Sequence, residues 1–110
     1  MKHEVIKQKV LKIYIDNTDT YEDEALWKYI LSSAKEHKLA GATVYKAVAG
    51  VGSNLDIHTF DIFNLSIKMP IVIEIIDTND KITTFLNSLD ILLKEAFVTM
   101  CDVDTIKYKA

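Results

Sequence analysis

Pro70-Ile71-Val72-Ile73-Glu74-Ile75-Ile76 is the strongest strand in this chain, a run of mostly β-branched residues opened by its only proline. Proline is tolerated at a strand's first position, where its missing N–H need not break a ladder. Asp77-Thr78-Asn79-Asp80 then reads as a turn and helix N-cap. Ile82, Phe85, Leu86, Leu89, Leu92, Leu93 and Ala96 follow at the spacing that stripes one face of an amphipathic helix. Beyond it, residues 98–100 and 103–108 read as a closing strand with an irregularity at Asp102.

The N-terminal half repeats this plan. Residues 10–15 alternate with period two, placing Leu11, Ile13 and Ile15 on one face and Val10, Lys12 and Tyr14 on the other. The polar stretch 16–24 contains Thr20-x-x-Asp23, which resembles a capping box with Thr20 as N-cap. Leu26, Trp27, Ile30, Leu31 and Ala34 then recur at helical spacing, with a stop near His37, Lys38 and Gly41. Residues 42–51 form a second strand. Residues 60–69 show no single period and read as part strand, part turn; Met69, Met100 and the aromatic residues read as core.

The order β-α-β-β-α-β is the split βαβ arrangement. It predicts an α+β, ferredoxin-like βαββαβ plait: a four-stranded antiparallel sheet with two helices on one face, in one domain over residues 1–110. Two helices cover only one face of such a sheet, and the other should then show polar residues at alternate positions. Residues 71–76 are instead apolar on both faces except at Glu74. An uncovered aliphatic face is an association surface, so the pattern favours an oligomer built sheet to sheet. Lys12 and Glu74, the lone charges in the two central strands, are expected on the face away from the helices, close enough to pair.

Composition excludes several activities. The net charge is −3 and the 13 basic residues are all lysine, which argues against nucleic acid as a partner and removes any arginine clamp within the subunit. Without arginine an acylphosphatase cradle fails. Without Cys-x-x-Cys after the first strand a metal carrier fails, since Cys101 is the sole cysteine. An RNA-recognition sheet needs stacking aromatics on both central strands, and residues 71–76 contain none. No apolar run is long enough to span a bilayer, and the compartment expected is the cytoplasm. Ser66, Ser88 and Cys101 have no base at a recognisable spacing, and Asp77 and Asp80 read as turn and cap residues rather than a metal pair. No enzyme is expected.

Gly50-Val51-Gly52-Ser53-Asn54, running on to Ile57-His58-Thr59, is the stretch with the chemistry of a site. Closely spaced glycines let backbone amides approach an anion. The same spacing also suits a strand ending in a hairpin loop. His58 is the best acid/base or ligand candidate; His3 and His37 read as a tail and a helix-end residue.

Leu11-Lys12-Ile13-Tyr14-Ile15, Leu39-Ala40-Gly41-Ala42-Thr43-Val44, Gly50-Val51-Gly52, Ile57-His58-Thr59 and Pro70 through Asp77 together resemble the PII-like proteins once grouped as domain of unknown function 190. So does the closing run, Val98-Thr99 through Asp102-Val103 to Ile106-Lys107-Tyr108. The resemblance covers residues 10–108 in order. It implies a homotrimer with sheets packed inward and an adenine nucleotide (AMP, ADP or ATP) bound in clefts between subunits. It also implies a regulatory role without catalysis or a required cofactor, exerted on a membrane transporter or an enzyme. Such a nucleotide would lie against residues 46–59. Lys46 would supply charge, Gly50 and Gly52 backbone amides, and Ser53, Asn54, His58 and Thr59 hydrogen bonds, with Lys107 as a second basic residue. The family has arginine-glycine at Lys46-Ala47, glutamate-glycine at Ala49-Gly50 and glycine at Asp16. Lysine keeps the charge at position 46 but not a bidentate contact. The alternative function is an oligomeric scaffold with no small-molecule ligand.

Overall fold

The computed structural model describes residues 2–51, 68–93 and 96–109 and the backbone of 57–59. In chain order these form β1 (His3–Asp16), β2 (Thr20–Tyr21), β3 (Glu24–Ala25), α1 (Leu26–Glu36), β4 (Gly41–Lys46), β5 (Ala49–Val51), β6 (Ile57–Thr59), β7 (Pro70–Asp77), α2 (Asn79–Ser88) and β8 (Phe97–Tyr108). β4, β7, β1 and β8 lie side by side in that order, every pair antiparallel. Each half contributes one central and one edge strand, which is the expected plait.

The alternation in β1 and β7 decides where the core sits. Leu11, Ile13 and Ile15 stand opposite Ile75, Ile73 and Ile71, and these six pack with Leu26, Ile30 and Ala34 of α1 and Ile82, Phe85 and Leu89 at α2. Both helices therefore cover one face. The other face is crossed by three rows. Gly41, Ile76, Val10 and Cys101 form one; Thr43, Glu74, Lys12 and Thr99 the next; Tyr45, Val72, Tyr14 and Phe97 the third. Lys12 and Glu74 are thus directly opposite on the expected face. They form no ion pair, however: those present are Lys7–Asp104, Lys9–Asp102, Lys68–Asp16 and Lys81–Asp77 among the described residues.

Several boundaries differ from the sequence expectation. Thr20 is not an N-cap. It pairs with Ala25 across a two-residue turn at Glu22 and Asp23, whose φ angles of 50° and 65° are those of a tight hairpin. Helix α1 starts after Ala25 with no side-chain cap, while Leu26 N donates to Asp19 O at 2.8 Å. The strand expected over 42–51 is two strands: the ladder of β4 with β7 closes on the in-register bond from Ala47 N to Pro70 O (3.0 Å), since Pro70 has no N–H to return, and β5 then pairs with β6 instead of the main sheet. Helix α2 ends at Ser88, yet Leu92, Leu93 and Ala96 still pack on the core. The closing strand has no irregularity: Asp102 is opposite Lys9 in an unbroken register, and the two side chains are bonded. Met100, Phe97, Tyr14, Tyr45 and Tyr108 are exposed rather than core: Met100 and Tyr108 because β8 is an edge strand beyond the helices' cover, and Phe97, Tyr14 and Tyr45 because they lie on the uncovered face. Residues 60–67 of the mixed segment lie outside the described residues; Met69 is buried as expected.

The N-terminal half of β1 and the C-terminal half of β8 run on beyond β7, which begins pairing only at Lys9–Asp77. They form a two-stranded arm in a molecule 51 Å long and 27 Å wide. Asp77 joins the layers: nearly fully buried, its carboxylate accepts from Ala40 N (2.8 Å) and Thr78 N (2.6 Å), with Lys81 Nζ at 3.9 Å. Thr78, not Asp80, caps α2, accepting from Lys81 N.

Candidate functional site

Three chain connections meet at the end of the sheet where β1 leaves and β7 enters. Asp16 and Pro70 are the last paired residues. Beyond them Asn17 clamps the incoming chain twice: its N–H donates to Met69 O, and its Oδ1 accepts from Met69 N, both at 2.8 Å. Asp19 folds the outgoing turn back, its Oδ2 accepting from Asp16 N at 3.0 Å. Lys68 Nζ lies 3.3 Å from Asp16 Oδ2, with both side chains partly open to solvent. From the neighbouring strand Lys46 ends β4 opposite Ile71, and the β5–β6 ladder follows two residues later.

Gly50 explains why that ladder can sit there. A Cβ at this position would come within 2.8 Å of the Pro70 ring, closer than real Cβ contacts come, so only glycine lets β5 lie against the start of β7. No described glycine has a positive φ. The freedom expected of Gly50 is therefore used for close approach to a proline, not for a left-handed turn. His58 is paired with Gly50 and Thr59 with Ala49 by backbone register, which brings both to this end of the sheet. Gly52, Ser53 and Asn54 lie outside the described residues.

Lys107 is elsewhere. It pairs with Glu4 on the arm, eleven residues along β1 from Ile15, or roughly 35 Å at the strand rise. One subunit cannot bring Lys107 and Lys46 together; only another copy could. Lys68 is the residue that sequence reading missed. The signal was its place two residues before the proline that opens the central strand, within reach of the carboxylate that ends β1. The arrangement offers cations and backbone polar groups on three loop ends tied together by hydrogen bonds. Charges and backbone polar groups so placed are suited to binding. Among the described residues no group of three His, Cys, Asp or Glu side chains is placed to hold a metal, and no described helix is long and apolar enough to cross a membrane.

A family model, DUF190 (Uncharacterized ACR, COG1993), matches residues 8–105. A UPF0166 protein of Aquifex aeolicus VF5 is 37% identical over 102 residues, covering 93% of this chain and 96% of its own. A UPF0166 protein of Methanocaldococcus jannaschii is also 37% identical over 102 residues, covering 90% and 94%. Among solved structures, CPII, a nitrogen regulatory PII-like protein from Thiomonas intermedia K12 bound to ADP, AMP and bicarbonate, superimposes with a TM-score of 0.71. It is 15% identical, covering 93% of this chain and 91% of that one. Its apo form gives a TM-score of 0.67 at 13% identity, covering 96% and 98%. At such identities the likeness concerns the fold, and the fold is PII-like.

Proposed function

The chain belongs to the DUF190 family, and on that premise we propose that it is a non-catalytic, PII-like signalling protein of the cytoplasm. It forms a homotrimer, binds an adenine nucleotide in the clefts between subunits and modulates a partner transporter or enzyme. The observation that carries this reading is the meeting of Lys46, Lys68, Asn17 and the β5–β6 ladder at one end of the sheet, in a chain folded like CPII, which was solved with ADP and AMP. Lys46 and Lys68 provide charge for phosphate, and His58 and Thr59 stand on the ladder beside them. Gly52, Ser53 and Asn54, which follow β5 in the sequence, belong to the same proposed site. Lys107 enters the cleft from a neighbouring subunit, the only geometry that unites it with Lys46. The uncovered row Tyr45, Val72, Tyr14 and Phe97 supports association through the sheet face.

A ligand that binds only the native state raises the melting temperature. A thermal-shift series with AMP, ADP, ATP and cyclic nucleotides is expected to show a rise with at least one of them. The rise should be reduced in Lys46→Ala and in Lys68→Ala. No rise with any nucleotide would leave the fold and assembly intact but favour the second reading, an oligomeric scaffold. That reading is favoured by Gly50, whose lack of a side chain is already accounted for by Pro70.

A further inference from the structure

The uncovered face of the sheet carries one charged band between apolar rows. Lys12 of β1 and Glu74 of β7 lie directly opposite each other, with Thr43 and Thr99 beyond them at the two edges. On one side of the band run Ile76 and Val10, on the other Val72, Tyr14 and Phe97. Both charged side chains are half-buried in the single subunit, and neither takes part in an ion pair among the described residues.

Neighbouring rows on one face are two residues apart along a strand, roughly 7 Å. A surface that covers the apolar rows on both sides therefore covers the band as well. Left without a partner under such a cover, each charge would be strongly destabilising. The cover must then bring a carboxylate to Lys12 and an ammonium to Glu74, side by side at the spacing of adjacent strands. A second copy of the chain carries that pair by construction. Symmetry decides whether the pair arrives in the right order. Across the sheet the strands run β4-β7-β1-β8, so Glu74 always precedes Lys12. Rotation about an axis along the strands keeps this order in every copy, and the signs alternate around the axis. A two-fold axis across the strands lays Lys12 on Lys12 and Glu74 on Glu74 where the bands meet.

We infer that copies of the chain meet about an axis running along the strands, with Lys12 of each copy paired to Glu74 of the next. The band then closes into a ring of alternating charge between two apolar layers. Thr43 and Thr99 supply hydroxyls for the hydrogen bonds that the ammonium and carboxylate still require. Such a ring fixes the register of the assembly, because sliding one copy by two residues buries every charge against an apolar row. The inference rests on association through the sheet face, as in the proposed function, but not on the number of copies or on a nucleotide.

Light scattering of the intact chain over a dilution series reads the association directly. Lys12→Glu and Glu74→Lys should each weaken association at least about tenfold, with an unchanged far-ultraviolet circular dichroism spectrum. Lys12→Glu and Glu74→Lys in one chain keep the alternation and should restore the parent dilution curve. Lys12→Gln removes one charge with little change of shape and should weaken association in the same direction. Single reversals that keep the parent curve overturn the ring. If Phe97→Glu lowers the mass in that series, association through the sheet face still stands; if it does not, that reading fails as well. A parent chain that is a single subunit at every concentration removes both. Failure of the double exchange to restore association also overturns the inference. So does a Lys12→Gln protein that associates more tightly than the parent, since like charges would then face each other about an axis across the strands.

Discussion

Lys12 on β1 and Glu74 on β7 stand directly opposite each other at the middle of the sheet, on the face the helices leave uncovered, without forming an ion pair. Thr43 and Thr99 extend the same row to both edges, so one polar band crosses an otherwise apolar surface. Opposite charges placed across a ladder contribute roughly 0.2–1 kcal/mol when solvated. A double-mutant cycle with Lys12→Met and Glu74→Met, read by chemical denaturation of dilute protein, is expected to return a coupling in that range. A coupling of several kcal/mol would mean that the pair is already desolvated in the single subunit.

The Lys9–Asp102 contact predicts a particular pH dependence. The Lys9 ammonium, through its hydrogen bond first and its charge second, holds the Asp102 carboxyl below its usual value. A carboxyl lowered by folding binds fewer protons in the native than in the unfolded state. Its stabilisation is present in full above the unfolded-state value and fades as pH falls through the folded one. Asp102→Asn should therefore lower the melting temperature at neutral pH, and the gap from the parent should close in acid below the folded value. A gap that stays constant into acid would contradict this; added salt should narrow it, since both groups are near the surface.

Gly50→Ala places a methyl group 2.8 Å from the Pro70 ring. Overpacking of this kind costs about 1–3 kcal/mol, and here it should also loosen the β5–β6 ladder, visible as faster amide exchange at residues 49–51 and 57–59. Pro70→Ala in the same chain removes the ring and should restore most of the loss. If the double variant is no more stable than Gly50→Ala alone, the glycine has a different purpose.

The parts of the fold legible in the sequence were those with a strong period. Leu11, Ile13 and Ile15 against Ile71, Ile73 and Ile75 give both the strands and the buried face, and the same alternation puts Lys12 and Glu74 together on the other face, while their direct opposition is fixed by the register of β1 with β7. What escaped was decided by contacts between segments distant in sequence. Thr20 has a good capping pattern, but Ala25 competes for it across a turn at Glu22 and Asp23; Asp tolerates a positive φ, whereas Glu is not marked for one. The end of the ladder at Ala47 depends on Pro70, twenty-three residues on, which accepts a bond there and has no N–H to return. Gly50 was legible as special, though the reason lay in its spatial neighbour. Lys68 was silent because only the pairing of Asp16 with Pro70 brings it to the carboxylate.

The open face supplies the last prediction. Tyr14 and Phe97 lie across β1 and β8 with ring centroids 5.7 Å apart, and Tyr45 lies in the same row beyond Val72. Phe97 is 68% exposed and Tyr45 50%, so neither contributes to the core of the single subunit. Their burial against other copies would remove a contiguous apolar patch from water, worth roughly 25 cal/mol per Å². Phe97→Glu should therefore lower the oligomeric mass measured by light scattering while leaving the far-ultraviolet circular dichroism spectrum unchanged. Charges of like sign would then face each other at the centre of the assembly, and burying them unpaired is costly. Phe97→Leu keeps an apolar side chain and should retain the parent mass. A Phe97→Glu protein that keeps the parent mass would show that the copies meet through another surface, and the arm of β1 and β8 would be the next place to substitute.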